Sequence, residues 1–140
     1  MKQSLIRTVP IFLGLAAIIA CGSDSTSPPS EVVGSYTATQ FTTTGSSGQT
    51  NQLLAGSTLH VTLASGGGVS GQLHMVATSS NPLFDRDMAG TWTRTGNTID
   101  FHQDADTFIR NMPFTIEANG DLVGARSFSG TAIAVTLSPD

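Results

Sequence analysis

The sequence is poor in cysteine and in positive charge, and both shortages narrow what the protein can be. Cys21 is the only cysteine among the 140 residues, so no disulfide can form within the chain. Lys2 and Arg7 are the only basic residues before Arg86, and without these two the formal net charge falls from −4 to −6. A surface of this sign repels nucleic acid and anionic lipid, so we predict neither as a partner.

No apolar run is long enough for a membrane-spanning helix, which needs about 20 residues. The N-terminal run from Val9 to Ala20 is interrupted only by Pro10 and Gly14 and follows a basic start. A basic segment followed by about a dozen apolar residues is the layout of a secretory signal. We therefore predict that residues 1–20 are a signal peptide, removed from the mature protein.

Cys21 follows this run directly, and Ile18-Ile19-Ala20-Cys21 resembles the lipobox of bacterial lipoproteins. The resemblance implies a diacylglyceryl group on the Cys21 thiol, cleavage just before it, and acylation of the new amino group, with palmitate among the acyl chains. Each buried CH₂ contributes about 0.8 kcal/mol, so two or more chains give stable membrane anchoring. The alternative is an ordinary secreted protein with a free thiol, or a cytosolic one with an apolar N-terminus.

The resemblance also implies a location and a spacer. Gly22 follows the cysteine where an Asp would favour retention at the inner membrane, so we expect the outer membrane, on its periplasmic or surface side. Residues 21–31 are rich in Ser, with a Pro pair near their end, which is typical of a flexible linker. The third segment, 32–140, is predicted to be the only folded domain.

The domain is predicted to be all-β. No window sustains apolar residues at helical spacing, whereas short runs rich in Thr, Val, Ile and aromatic residues alternate with turn residues. Connections after residue 57 are short and join neighbours, which favours an up-and-down antiparallel barrel of eight strands over a two-sheet sandwich. The predicted strands are 32–43, 57–65, 69–78, 88–95, 98–103, 112–118, 121–128 and 131–137.

Four hairpins have turn sequences whose expected register keeps the apolar side chains on one face of the sheet. The first hairpin is predicted to place His60 opposite His74 on the polar face. The second is predicted to place Trp92 opposite Phe101 on the apolar face. The four turns lie at 66–68, 96–97, 119–120 and 129–130.

Several motifs resemble the lipocalin-like, or calycin, barrels. The chain has Gly34-Ser35-Tyr36 at the first strand, a long first loop from Thr44 to Gly56, and Arg126 within the last hairpin. In that family an aromatic residue on the first strand packs against an Arg late in the barrel. The resemblance therefore implies that Arg126 packs across Tyr36, and that the barrel carries a small ligand.

The candidate ligand site lies inside the barrel. An eight-stranded barrel is just wide enough to be filled by side chains or to hold one small ligand, so a solid core and a small apolar cavity are both open. Arg94 and Arg126 share the parity of the apolar face, where a cation could meet an acidic head group. The residues predicted to line the site are Tyr36, Trp92, Arg94, Phe101 and Arg126.

We predict no metal site, no cofactor and no catalytic residue. A His60–His74 pair would supply only two of the three or four ligands that zinc requires. No nucleophile elbow, zinc-protease motif or phosphate loop is present. A row of acidic and imidazole groups could bind Ca²⁺, but an exposed strand face explains the row as well. Its members are Asp100, His102, Asp104 and Asp106.

The prediction is therefore a lipid-anchored, non-enzymatic binding module of the cell envelope that carries a small apolar or amphipathic ligand. The alternative is a structural lipoprotein with a solid barrel whose loops, at 44–56 and 79–87, contact an envelope partner. The sequence specifies neither the ligand nor the oligomeric state.

Overall fold

A computed structural model of the protein describes residues 30–77 and 83–140. The predicted signal peptide, Cys21 and most of the predicted linker lie outside this part of the chain. A 3₁₀-helix at Ser30–Val32 precedes nine antiparallel strands. The strands are β1 (Gly34–Gly45), β2 (Gly48–Asn51), β3 (Thr58–Leu63), β4 (Gly68–Met75), β5 (Phe84–Thr95), β6 (Thr98–Gln103), β7 (Pro113–Ile116), β8 (Leu122–Phe128) and β9 (Thr131–Pro139).

The strands close into an eight-stranded barrel. Each strand from β3 to β8 pairs with the next in sequence, and β1 closes the barrel by pairing with β3 on one side and β9 on the other. The predicted up-and-down barrel is confirmed, and two separate sheets are excluded. β2 is an additional strand that pairs with the last four residues of β1.

Three local predictions are wrong. The predicted first loop contains β2, and β5 begins at Phe84, four residues before the predicted start. The first hairpin pairs Leu63 with Val69, so that five residues lie between the paired positions instead of the expected three. This two-residue shift preserves which side chains face inward, but His60 lies opposite Gln72 and His74 opposite Thr58. The predicted His60–His74 pair does not form.

The two ends of the barrel differ. At one end, the helix end, the 3₁₀-helix leads into β1, and the connections β5–β6 and β7–β8 are short turns. At the opposite end, the loop end, lie β2, the chain between β2 and β3, and the segment 104–112 between β6 and β7. We call 104–112 the plug segment, because its Phe108 and Ile109 side chains are buried.

A β-bulge at Thr39 controls what β1 buries. Between Ala38 and Gln40 the register to β9 shifts by one residue, since Ala38 pairs with Leu137 but Gln40 pairs with Thr136. The extra residue reverses the alternation, so Tyr36 and Ala38 are buried before it and Phe41 after it. Phe41 is thereby directed inward, where its ring centroid lies 5.2 Å from that of Phe108.

The interior is filled with aliphatic and aromatic side chains. Trp92 faces Phe101 as predicted, and the Phe101 and Phe114 rings meet edge to face with centroids 5.1 Å apart. The predicted inward residues of the strands form one buried cluster, with Met75 and Ile116 at its margin. The plug segment completes the cluster at the loop end with Phe108, Ile109 and Met112.

Two interior glycines lie where adjacent strands approach unusually closely. A Cβ at Gly71 would lie 3.0 Å from the Val61 Cα, and one at Gly90 would lie 2.8 Å from the Gln103 Cα. In both places the added atom would also overlap a carbonyl oxygen of the neighbouring strand. Glycines of this kind allow a sheet to coil tightly enough to close as a small barrel.

Tyr36 links the barrel to the 3₁₀-helix at the helix end. Its hydroxyl donates a 3.0 Å hydrogen bond to the Val32 carbonyl, and its side chain is only 4 % exposed. Burial raises the pKa of the Tyr36 hydroxyl above its ordinary value of 10.0, because the charged phenolate would be poorly solvated.

We expect Tyr36 to make the protein less stable as the pH rises above about 10. In that range an unfolded tyrosine loses its proton while folded Tyr36 keeps it, so the native state binds more protons and the free energy of unfolding falls with pH. Tyr36 is the only tyrosine and Lys2 the only lysine, so Tyr36→Phe should remove this fall. Urea unfolding at several alkaline pH values tests it, and an equal fall in both proteins would contradict the assignment.

Candidate functional site

The structure distributes the five predicted ligand residues over the barrel instead of collecting them in one cavity. Tyr36, Trp92 and Phe101 are buried in the core. Arg94 lies at the helix end, where its Nη1 is 3.6 Å from the Glu31 carboxylate and its Nε donates to the Gly96 carbonyl. Their role in ligand binding stays a prediction.

Arg126 does not pack across Tyr36. It pairs with Ile133 of β9, which in turn pairs with Thr43 near the far end of β1, so Arg126 and Tyr36 lie at opposite ends of the barrel. The Arg126 guanidinium instead lies 5.8 Å from the Phe128 ring centroid and donates a 2.6 Å hydrogen bond to the Arg110 carbonyl. Arg126 thus attaches the plug segment to the barrel wall.

Trp92 and Phe101 are enclosed by protein. The Trp92 indole donates a 3.0 Å hydrogen bond to the Ala64 carbonyl, which satisfies its only polar atom. Phe101 is fully buried against Phe114. Both residues therefore serve the core in this structure.

A pocket of about 380 Å³ opens at the loop end, between the plug segment, the β8–β9 turn and the ends of β1, β4 and β5. This volume is within the range of small-molecule sites. The pocket has an apolar part and a polar part. The apolar lining is Met75, Val76, Phe84, Phe108, Phe128 and Ile133, and the polar lining is Thr43, Gln52, Asp106, Thr107, Ser129 and Thr131.

One polar wall is held by a network around Gln52. Its side-chain amide donates a 2.7 Å hydrogen bond to Thr43 Oγ1, and its carbonyl oxygen lies 3.4 Å from the Ser57 hydroxyl that donates to it. Ser57 Oγ also accepts the backbone N–H of Val76 at 3.2 Å. The network joins β1, the chain before β3 and the end of β4, so this wall is preorganised.

Thr107 of the plug segment forms a polar pair with Gln103 that has unused hydrogen-bonding capacity. The Thr107 hydroxyl donates a 3.2 Å hydrogen bond to the Gln103 side-chain oxygen. Gln103 is only 3 % exposed, and its amide nitrogen has no hydrogen-bond partner among the described residues. Buried polar groups are nearly always paired, so an unpartnered amide behind a pocket residue is unusual.

Three large apolar side chains are exposed at the loop end. Phe128 lines the pocket and is 37 % exposed. Leu54 is 87 % exposed and lies two residues from the lining residue Gln52, and Leu83 is 57 % exposed beside Phe84. Arg86 lies over the Phe84 ring, 4.5 Å from its centroid.

Polar groups on the outer surface pair with one another across strands. His74 Nδ1 lies 2.5 Å from the Asp85 carboxylate, and His60 Nδ1 lies 3.0 Å from Thr37 Oγ1. Within residues 30–77 and 83–140, no three His, Cys, Asp or Glu side chains are arranged to hold a metal ion. This includes the predicted row from Asp100 to Asp106.

Sequence reasoning missed the pocket because its walls come from connections. The alternation of apolar and polar residues identifies strand interiors, but it does not show that the plug segment folds back over the loop end. The sequence does contain one signal, the apolar pair Phe108-Ile109 between polar neighbours in a segment without strand alternation. Such a pair indicates a connection that packs on the core.

Among the described residues, no helix is both long and apolar enough to cross a membrane. Comparisons with protein-family models, with curated proteins and with solved structures give no match to this chain. The structure itself defines the class as a small closed eight-stranded antiparallel barrel, which is compatible with a lipocalin-like fold.

Proposed function

We propose that the protein is a lipid-anchored binding module of the cell envelope, of lipocalin-like type, which holds a small amphipathic ligand in the loop-end pocket. The observation that carries the proposal is the pocket itself, with rigid polar groups on its walls and apolar side chains around them. Binding sites for small molecules combine a mainly apolar lining with a few fixed polar groups in this way. The proposal is one of binding rather than catalysis.

The aromatic lining supports an apolar portion in the ligand. Phe84, Phe108 and Phe128 come from three separate parts of the chain and meet at one pocket. Transfer of apolar surface from water to such a site contributes about 25 cal/mol per Å². Covering the exposed face of Phe128 with a ligand therefore makes the free energy of binding more favourable.

The position of the 3₁₀-helix supports the anchor. The 3₁₀-helix lies at the helix end, opposite the pocket, with Val32 buried in the core. A tether that runs from Cys21 to this helix would attach the barrel to the membrane by the end remote from the pocket. The outer membrane is the proposed location, from the residues around Cys21.

Phe128→Ala should weaken binding of the neutral dye Nile red to the purified domain about fivefold, because it removes part of the apolar wall. Fluorescence titration measures the change. Val123→Ala is a matched control, since Val123 is on the same strand, is 38 % exposed and lies outside the pocket lining. Absence of dye binding by the wild-type domain, or equal effects of the two substitutions, would contradict the proposed site.

Cys21→Ser should release the full-length protein from membranes in the expressing bacterium, since the acyl chains would have no thiol to attach to. Fractionation with immunodetection measures the release, and mass spectrometry should find a diacylated N-terminal cysteine in the wild type. Ser23→Ala, which changes a nearby linker residue, is the control. An unmodified thiol, or a Cys21→Ser protein that stays in the membrane, would end the anchor proposal.

A second function is favoured by Leu54 and Leu83, which project at the loop end and fall within the two connections predicted to contact a partner. Exposed apolar side chains at loop tips are typical of protein interaction sites. In this alternative, Leu54→Ser with Leu83→Ser would abolish retention of an envelope protein on the immobilised domain while Nile red binding persisted. Retention unaffected by the double substitution would contradict it.

A further inference from the structure

The charge around the pocket restricts the kind of ligand it can take. Among the described residues that line the pocket, Asp106 is the only charged one, and it makes no ion pair with any described residue. Two arginines lie over rings of the lining, Arg86 over Phe84 and Arg126 over Phe128, and Arg126 also donates to the Arg110 carbonyl. Neither arginine is itself in the lining, so a carboxylate or phosphate bound beside Asp106 would meet a like charge there.

The buried polar groups of the pocket are all neutral. Thr107 and Gln52 offer hydroxyl and amide groups, which can bind an uncharged head without a counterion. A charged head placed against them would lose its hydration without gaining an opposite charge, and such a loss is costly.

The orientation of the Gln103 amide determines whether the Thr107 hydroxyl accepts a hydrogen bond from a ligand or donates one to it. As the amide stands, the Thr107 hydroxyl donates to Gln103, and its oxygen lone pairs can accept from a ligand. If the amide turns over, the unpartnered nitrogen donates to Thr107 Oγ1, and the Thr107 proton is free to donate. A hydroxyl group, which both donates and accepts, suits either arrangement.

We propose that the pocket selects uncharged amphiphiles with a hydroxyl head, such as long-chain alcohols or monoacylglycerols, over fatty acids. The ligand hydroxyl donates to the Asp106 carboxylate and pairs with Thr107, while the alkyl chain covers the phenylalanine wall. This inference rests on the proposed binding function. It adds the head-group class and makes Asp106 the residue that rejects anions.

The test is displacement of Nile red from the purified domain by 1-decanol and by decanoate at pH 8, where the acid is ionised. We expect decanol to displace the dye at a concentration at least about fivefold lower, the factor given by two like charges close together in water. Asp106→Asn should narrow this difference by improving decanoate binding. Asp104→Asn should leave it unchanged, because Asp104 is also exposed but is not in the lining.

The outcomes separate the two proposals. If the wild-type domain binds neither dye nor decanol, the proposed function fails and the inference fails with it. If decanol and decanoate displace the dye at the same concentration, or if Asp106→Asn leaves the difference between their concentrations unchanged, the inference is overturned while the binding function stands. A Thr107→Val variant that binds decanol as well as the wild type, with Thr107→Ser as its hydroxyl-retaining control, would overturn the Thr107 contact.

Discussion

Gly90→Ala is expected to lower the free energy of unfolding by about 3 kcal/mol or more. The added methyl group would lie 2.8 Å from the Gln103 Cα and would overlap the His102 carbonyl oxygen, both on the backbone of β6. A backbone cannot rotate out of the way as a side chain can. The pairing of β5 with β6 must therefore open, and this pairing holds the interior Trp92–Phe101 contact. Chemical denaturation of the purified domain measures the loss.

Gly66→Ala is the matched control for this substitution. Gly66 lies in the β3–β4 turn, and a Cβ there would have no neighbour within 4 Å. Its effect should stay within about 0.5 kcal/mol, as for most surface substitutions. Equal stability of the Gly90→Ala and Gly66→Ala proteins would show that close strand approach at Gly90 is not required for barrel closure.

Phe101→Ala is expected to destabilise the domain by about 3 to 5 kcal/mol, which is the usual cost of deleting a buried phenyl ring. Phe101 is fully buried and contacts Phe114, so the surrounding strands can collapse only partly into the space. A domain of this size has about 5 to 15 kcal/mol of stability in total, so the variant should be close to unfolding. Thermal unfolding followed by circular dichroism measures the change.

Two further measurements connect this substitution with the site. Trp92 is the only tryptophan and faces Phe101, so its fluorescence should report the altered interior directly. Phe101→Leu, the control, should cost much less because it keeps most of the buried volume. At temperatures where Phe101→Ala is folded, Nile red should still bind the loop-end pocket, and loss of that binding would instead place the ligand beside Trp92.

The fold was largely predictable because the strands follow a simple alternation. The pairing Trp92–Phe101 appears as expected, since the two-residue turn at 96–97 leaves only one register with an apolar face. The first hairpin shows the limit of this reasoning. A three-residue and a five-residue connection at the glycine triplet differ by two residues in register, and both keep the same face apolar.

Other features depend on contacts between distant parts of the chain. The bulge at Thr39 is set by the pairing of β1 with β9, nearly one hundred residues later, where Thr39 Oγ1 lies 2.9 Å from Ser138 Oγ. Nothing near Thr39 in the sequence marks it. The position of Arg126 is a similar case. The alternation of residues predicts which face of the sheet Arg126 lies on, but the stagger between strands determines at which end of the barrel it lies.

The pocket was beyond prediction for a related reason. Its lining comes from residues between 43 and 133, most of them at strand ends or in connections. The strand alternation therefore predicts a ligand beside Trp92 and Phe101, in the middle of the barrel. The interior there is occupied by side chains, and the open volume lies where the plug segment leaves a gap.

The separation of the loop end from the closely coiled part of the barrel has a practical consequence for protein engineering. The glycines at 71 and 90 and the interior rings of Trp92, Phe101 and Phe114 are not among the residues that line the pocket. A lining position such as Thr131 can therefore be randomised in a library without disturbing this part of the framework. The domain therefore combines a constant framework with a variable binding surface, which is what a recombinant affinity scaffold requires.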